Sequence, residues 1–291
     1  MILLTGATGN IGSSLLPRLI ESGERVRCLV RDPKGLGAGR VRVQITLGDL
    51  SDPASFRNAL RGVDTVVHLA AAIRDQPRAS IEELNGVATL RLMRAAKRAG
   101  VERFLFFSAM GADLNSRSRF FRAKALAEQA VEESELDSVV FLPSIVYSPG
   151  DPWTKLLHTL SYLPAMPISG SGRARYQPIS ADDVATCVTA VLDGKADGRR
   201  RLELAGPEEL SYDDIARQTL RAFGRTRRLV HFPLPLVKAG LETLGIFAGE
   251  GAFATWEEAE LMEISMVTAR GTADVEALGV KPRSMAEVLA G

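Results

Sequence analysis

The chain has 291 residues, long enough for one large α/β domain or for a nucleotide domain with a smaller lobe around a substantial core. Its 36 Lys and Arg against 35 Asp and Glu leave no global basic excess, so nothing in the balance recommends nucleic acid as a partner. No run of about 18 uncharged apolar residues offers a membrane span, and the two cysteines, Cys28 and Cys187, sit far apart in apolar patterns that suit buried free thiols, with no metal-ligand spacing.

Residues 1–4 form an apolar run suited to a central parallel strand buried on both faces. They lead into Thr5-Gly-Ala-Thr-Gly-Asn-Ile-Gly12, with glycine at every third position. Gly6, Gly9 and Gly12 remove side chains where the chain turns tightly, where a pyrophosphate approaches the backbone, and where the next helix packs on the strand. The N-terminus of that helix supplies free N–H groups and a partial positive charge for phosphates. The spacing is G-x-x-G-x-x-G because residue 7 is alanine, which departs from the G-x-G-x-x-G of the usual dinucleotide fingerprint. A loop that begins at residue 6 leaves no room for a signal peptide, and the protein is expected in the cytoplasm.

After a first helix that Pro17 should kink or loosen, residues 25–30 alternate as a second strand, ending in Arg31-Asp32-Pro33. Residues 41–45 alternate as a third, and Gly48-Asp49-Leu50 turns the chain toward a helix capped by Ser51 or Asp52. Residues 64–70 are a fourth strand. Ile81, Leu84, Val87, Leu90 and Met93 recur at helical spacing, and Gly100 closes that helix. A fifth strand at 101–107, a helix at 120–131 and a strand at 138–142 complete a strand-helix-strand alternation. That order predicts a doubly wound parallel sheet with helices on both faces. Residues 1–150 are assigned to the dinucleotide-binding core. Residues 151–291 are a mixed segment that adds the last core strands and helices and a small substrate lobe, beginning at the turn-rich stretches around residues 150, 163–167 and 170–172. Helix starts are expected at the capping sequences Ser180 to Asp183, Ser211 to Asp214 and Thr255 to Glu258.

The cofactor type is readable from the end of the second strand. An acidic side chain there accepts hydrogen bonds from the ribose 2′-hydroxyl of NAD, whereas a basic one accommodates a 2′-phosphate. Arg31, with Lys34 close behind, predicts NADP(H) preferred over NAD(H), with the adjacent Asp32 pulling the other way and NAD(H) left open.

Taken in order, Thr5 to Gly12, Gly48-Asp-Leu50, Val66-Val-His-Leu-Ala-Ala71, Phe106-Phe-Ser-Ala-Met-Gly111, Leu142-Pro-Ser-Ile-Val-Tyr147, Asp182-Asp-Val-Ala185 and the tail Leu278-Gly-Val-Lys-Pro282 resemble the extended and atypical short-chain dehydrogenase/reductases. The likeness is closest to the branch that includes the nucleotide-binding accessory subunit of respiratory complex I, with the NmrA-like and sugar-epimerase branches next. This resemblance implies a Rossmann fold with a C-terminal substrate lobe. It further implies that Gly6, Thr8, Gly9, Asn10, Ile11 and Gly12 hold the pyrophosphate, Asp49 and Leu50 the adenine, and Ala70 and Ala71 the nicotinamide-side ribose. Ser108 becomes the active-site serine, Lys124 the lysine on the ribose hydroxyls, and Pro143, Ser144 and Ile145 the wall beside nicotinamide. His68, inside an apolar strand, reads as a core histidine.

One departure governs the reaction. Such enzymes carry Tyr-x-x-x-Lys, in which the lysine one turn on lowers the phenol's pKa so that it can pass a proton. Here the match is Phe120-Phe-Arg-Ala-Lys124, and none of the four tyrosines has a lysine four residues later. Three functions follow. The first is an NADP(H)-using oxidoreductase of unknown small-molecule substrate, protonated by another group or by water. The second is a non-catalytic dinucleotide-binding sensor or accessory protein, as a homodimer or within a larger complex. The third, nucleotide-sugar epimerisation or dehydration, needs a base where Phe120 stands and ranks last. Ser108, Phe120, Tyr147 and part of 153–162 are expected to line one pocket. The apolar stretch 232–256 is expected to pack inside the lobe, its alternative being a dimer or membrane-associated surface.

Overall fold

Seven short apolar runs assemble into one sheet, ordered β11-β6-β5-β4-β1-β2-β3, with every pairing parallel. The strands are β1 (Ile2–Thr5), β2 (Val26–Val30), β3 (Gln44–Leu47), β4 (Thr65–His68), β5 (Arg103–Phe107), β6 (Asp137–Pro143) and β11 (Arg201–Leu204). The computed structural model describes residues 1–77, 79–248 and 255–290, with the side chains of 242–248 excepted.

Alternation along the strands builds two cores. Ile2, Leu4, Leu105, Phe107, Val139 and Phe141 point into one layer, where they meet Leu15, Leu16 and Leu19 of α1 (Asn10–Glu21) and Val184, Val188 and Val191 of α6 (Ala181–Leu192). Leu3, Phe104, Phe106, Val140 and Leu142 point the other way, onto Leu92 and Ala96 of α3 (Ala88–Arg98) and Ala127 and Val131 of α4 (Arg119–Glu132). Runs of Val, Leu and Phe without polar alternation are what a strand covered on both faces requires. Val275, Leu278 and Val280 near the C-terminus return to the first layer. Cys28 and Cys187 are buried free thiols, as their patterns implied, and burial pushes both up to about 12.

Three expectations needed correction. The third strand begins at Gln44, not at residue 41, because residues Pro33–Arg42 coil as 3-10 turns and leave Val41 81% exposed. Asp32 caps that coil by accepting from the Lys34 N–H at 2.9 Å, and Gly37 takes φ +56, which an extended strand does not allow. The helix read from residue 81 opens with a π-turn at Glu83–Val87 before α3 begins. Pro17 is accommodated inside a continuous α1.

Beyond residue 145 the chain adds α5 (Pro152–Leu160), α7 (Tyr212–Ala222), α8 (Leu234–Ala248), α9 (Trp256–Leu261) and three two-stranded sheets. The sheets pair β7 (Val146–Tyr147) with β10 (Ile179–Ser180), β8 (Ala165–Ser169) with β13 (Arg228–Phe232), and β9 (Arg175–Tyr176) with β12 (Leu210–Ser211). Tyr147, Leu157, Met166, Tyr176 and Ile215 form a separate core there. The three capping sequences start α6, α7 and α9, the last two with full reciprocal capping boxes.

Candidate dinucleotide site

The strand order reverses between β1 and β4, so the loops after their carboxyl ends diverge and leave a crevice. The glycine loop stands at that point. Gly6 has φ +71, and a Cβ there would lie 2.7 Å from the Ala70 backbone nitrogen; a Cβ on Gly12 would lie 2.7 Å from Ala7 Cα. Both glycines are therefore imposed by backbone approach: Gly6 against the end of β4, Gly12 between the first turn of α1 and the loop. The Gly9 N–H donates to Gly6 O at 3.0 Å, and the helix ladder opens with Ser13 N–H to Gly9 O at 2.9 Å. The N–H groups of the first helical turn thus have no acceptor within the helix. Unlike α6, α7 and α9, α1 has no side-chain cap and no acidic residue in its first turn.

Around this loop the predicted binding residues take distinct places. Asn10 is less free than expected. Its Nδ2 donates to Val146 O and Asp151 Oδ2, both at 3.2 Å, and its Oδ1 accepts from Ser148 Oγ at 2.5 Å. Its side chain therefore fastens α1 to the start of α5, leaving the backbone to face the crevice. Thr8 touches the coil after β2, because a Cβ on Gly35 would lie 2.8 Å from Thr8 Cγ2. That contact brings the segment after Arg31 against the glycine loop. Arg31 is exposed at the end of β2, while the Asp32 carboxylate turns back to the Lys34 N–H. The Asp49 carboxylate accepts from the N–H and Oγ of Ser51, each at 2.9 Å, and Leu50 packs on the second core. Ala70 is partly exposed and Ala71 exposed past the end of β4. Pro143 ends β6. The buried Ser144 donates to Met266 O at 2.7 Å and accepts from the Gln177 N–H at 3.0 Å, and the half-buried Ile145 follows.

Lys124 lies on α4 with 3% exposure, its Nζ donating to Phe107 O at 2.6 Å and standing 5.1 Å from the Phe106 ring centre and 5.8 Å from that of Phe120. Burial brings its amine down to about 7. His68 is a core histidine as read: Thr5 Oγ1 lies 2.7 Å from Nδ1 and Thr89 Oγ1 3.0 Å from Nε2. Burial, then the neighbouring Lys124 charge, lowers it to about 3, so the ring is neutral near pH 7.

Ser108 is engaged within the protein. It is 4% exposed and donates to Glu128 Oε2 at 2.5 Å; Glu128 in turn pairs with Arg201 of β11. A hydroxyl at the very end of β5 sits under α4 and takes the carboxylate that this helix offers. Nor do Ser108, Phe120 and Tyr147 line one pocket. Phe120 packs with Ala109, Phe121, Leu261 and Met262, whereas Tyr147 is fully buried in the core of the second half. Tyr162 is 62% exposed with the Arg225 guanidinium 3.3 Å over its ring, and Tyr176 donates to Met262 O at 2.7 Å. No tyrosine hydroxyl hydrogen-bonds Lys124 among the described residues.

The sequence reading missed the residues that fix the loop after β4. Asn85, fully buried in the π-turn, donates to Ala72 O at 2.7 Å and Ile81 O at 2.8 Å and accepts from the Ala72 N–H at 3.2 Å. Arg119, at the start of α4, holds Asp75 and Glu82, and its guanidinium keeps Glu82 down at about 2. Arg74 pairs with Glu258 of α9 at 2.7 Å. A buried amide inside an irregular turn leaves no periodic trace in a sequence.

Residues 6–195 match the model of a family described as NAD(P)H-binding. The chain belongs to that family. Within it, the chain is similar to ceramide reductase of Caulobacter vibrioides, 27% identical over 81% of this chain and 74% of that one. It is also similar to NADH dehydrogenase (ubiquinone) 1 alpha subcomplex subunit 9, mitochondrial, of Arabidopsis thaliana, 27% identical over 80% of this chain but only 60% of the subunit. A nucleoside-diphosphate-sugar epimerase of Staphylococcus aureus shares the fold with a TM-score of 0.78 at 20% identity, over 100% of this chain and 99% of that one. These matches place the NAD(P)H-binding chain among the extended and atypical short-chain dehydrogenase/reductases with a Rossmann fold, as its motif order implied. The residues present fit a dinucleotide: a backbone cradle that any Cβ at Gly6 or Gly12 would fill, opening on an uncapped helix start without a carboxylate.

Proposed function

We propose that the chain binds NADP(H) across the β1–α1 crevice and acts as an oxidoreductase in which Lys124, not a tyrosine, supplies the proton. The glycine loop and the first turn of α1 would hold the pyrophosphate, Arg31 and Lys34 the 2′-phosphate, Asp49 and Leu50 the adenine. Ala70 and Ala71 would face the nicotinamide-side ribose, and Pro143, Ser144 and Ile145 the ring. The turn of Asp32 back into its own loop supports NADP(H) over NAD(H), because it withdraws the acidic competitor from Arg31. Reduced nicotinamide, when bound, supplies hydride. Residues 1–150 would form the cofactor half and 151–291 the last core elements and the substrate lobe.

Lys124 carries the reading. A buried lysine whose amine titrates at about 7 holds both protonation states at neutral pH, which is what a proton donor requires. Phe120 beside it cannot donate, and His68 is neutral with both nitrogens engaged. Ser108 is assigned to holding α4 in place through Glu128. The test follows NADPH oxidation over a panel of carbonyl and quinone compounds with wild type and Lys124→Met. Turnover by wild type that is lost in Lys124→Met while NADPH still binds supports the proposal; turnover undiminished by the substitution refutes it. A second reading, a cofactor-binding accessory protein without turnover, is favoured by the apolar wall that Phe120 builds with Leu261 and Met262. Binding of NADPH without consumption across the panel would select it.

A further inference from the structure

The β8–β13 sheet carries a basic, apolar face. β8 and β13 pair in parallel with Arg228 beside Ala165, Val230 beside Pro167 and Phe232 beside Ser169. Met166 and Ile168 point to the core of the second half and are buried, so the opposite face carries Ala165, Pro167, Ser169, Arg228, Val230 and Phe232. A strand face turned to water normally alternates to polar residues. This one instead leaves Phe232 43% exposed, and it continues into Leu236, 64% exposed, at the start of α8 and Leu163, 44% exposed, before β8. Arg227 Nε donates to Leu163 O at 2.9 Å, which joins the two ends of the patch.

Basic residues outnumber acidic ones on the surrounding segments. Residues 152–181 and 215–241 contain nine Lys and Arg and no Asp or Glu. Of these, Arg175 pairs with Glu209 and Arg217 with Asp213 and Asp214, while His231 of β13 meets Asp213 and Glu263 accepts from the Ser171 N–H just past β8. Arg225 lies over the Tyr162 ring and donates to Ser161 Oγ at 2.8 Å, and among the described residues no carboxylate pairs with Arg225, Arg227 or Arg228. Among the described residues, the guanidinium groups of Arg225, Arg227 and Arg228 thus stand without a carboxylate partner around exposed aliphatic and aromatic side chains. Arg over an aromatic ring beside apolar side chains suits a boundary that is apolar on one side and anionic on the other. A second copy of the chain is a poor occupant, because a two-fold contact would set the arginines of one copy against those of the other.

We infer that the β8–β13 face is a peripheral docking surface for an anionic lipid bilayer, with Leu163, Phe232 and Leu236 entering the interface and Arg225, Arg227 and Arg228 meeting the headgroup phosphates. No described helix is long and apolar enough to cross a membrane, so the contact is superficial. Its dependence on paired signals makes it salt-sensitive.

The test is co-sedimentation of the full chain with vesicles of phosphatidylcholine alone and of phosphatidylcholine mixed with phosphatidylglycerol. Binding should be about tenfold or more stronger to the anionic vesicles and should fall as salt is raised. Phe232→Glu with Leu236→Glu, and separately Arg227→Glu with Arg228→Glu, should each abolish it while the melting temperature and NADPH affinity stay at wild-type values. Equal binding to both compositions, or to neither, overturns the proposal, as does a wild-type dimer in light scattering that the Phe232 and Leu236 substitutions dissociate without any vesicle binding. Capture of an acidic protein by this face with vesicles left in solution also overturns it.

Discussion

The β1–α1 crossing and the β5–α4 crossing lie in the same sheet and open on the same end of it, yet they stand in different states. At β1–α1 the backbone cradle is formed: Gly6 at φ +71, close backbone approach at Gly12, an uncapped helix start. At β5–α4 the lysine of the reactive pair is present and buried, but the phenol one turn earlier is Phe120, packed against α9. On the proposed function, cofactor binding and proton delivery are separable within one fold, the first resting on backbone shape and the second on one side chain.

The largest effect should come from the crossing that is intact. Gly6→Ala forces a Cβ onto the Ala70 backbone in a left-handed conformation, so NADPH affinity should fall on the order of 10²-fold by fluorescence titration. A wild-type affinity in that variant would show that the loop does not set the site. Next, restoring the phenol at the altered crossing with Phe120→Tyr should raise carbonyl reduction at least about tenfold, since a positioned acid contributes roughly 10²- to 10⁴-fold, without changing NADPH affinity. No gain would mean that residue 120 does not face the reacting atoms. Arg31→Ala should then weaken NADPH about tenfold and leave NADH unchanged, as loss of a charge-assisted phosphate contact does; equal affinities for both cofactors in wild type would contradict the assignment. Asn85→Ala, which strands the half-buried N–H and C=O of Ala72, should cost about 1 kcal/mol in urea unfolding and loosen the loop after β4.

A pH dependence of stability follows from the same burial. Lys124 has its folded value lowered from 10.5 to about 7, so the unfolded chain binds the extra proton between those values. The neutral amine's contribution is complete above about 10.5 and is lost as pH falls through about 7. His68, lowered from 6.5 to about 3, acts likewise in the acid range, complete above 6.5 and lost as pH falls to about 3. Unfolding free energy should rise with pH between about 7 and 10, and Lys124→Met should flatten that rise.

Much of this architecture was legible because a buried parallel strand writes itself as an apolar run and a phosphate loop as spaced glycines. Leu3 and Leu4, Phe104 to Phe107 and Val139 to Leu142 need no partner's identity to be recognised. Val41 failed as a strand residue because Asp32 and Gly37 settle a coil that hydrophobic alternation does not register. The partners of Ser108 and Tyr147 were hidden for a different reason. Which way a side chain turns at a strand end depends on Glu128 twenty residues on, or on Met166 and Ile215 in the second half, and no local pattern encodes those partners. The β8–β13 face was half legible: its apolar residues and its arginines are plain in the sequence, but their gathering on one surface needs the pairing of two strands sixty residues apart.

The proposed proton transfer depends on the state of one amine. With ¹⁵N-labelled lysine in the purified protein, the Lys124 Nζ resonance, assigned by its loss in Lys124→Met, can be followed from pH 5 to pH 11. The burial of that amine against Phe106 and Phe107 predicts a midpoint at about 7. A midpoint near the ordinary lysine value of 10.5 would leave the amine locked as ammonium at neutral pH, too weak an acid for efficient proton delivery, and contradict the proposed chemistry.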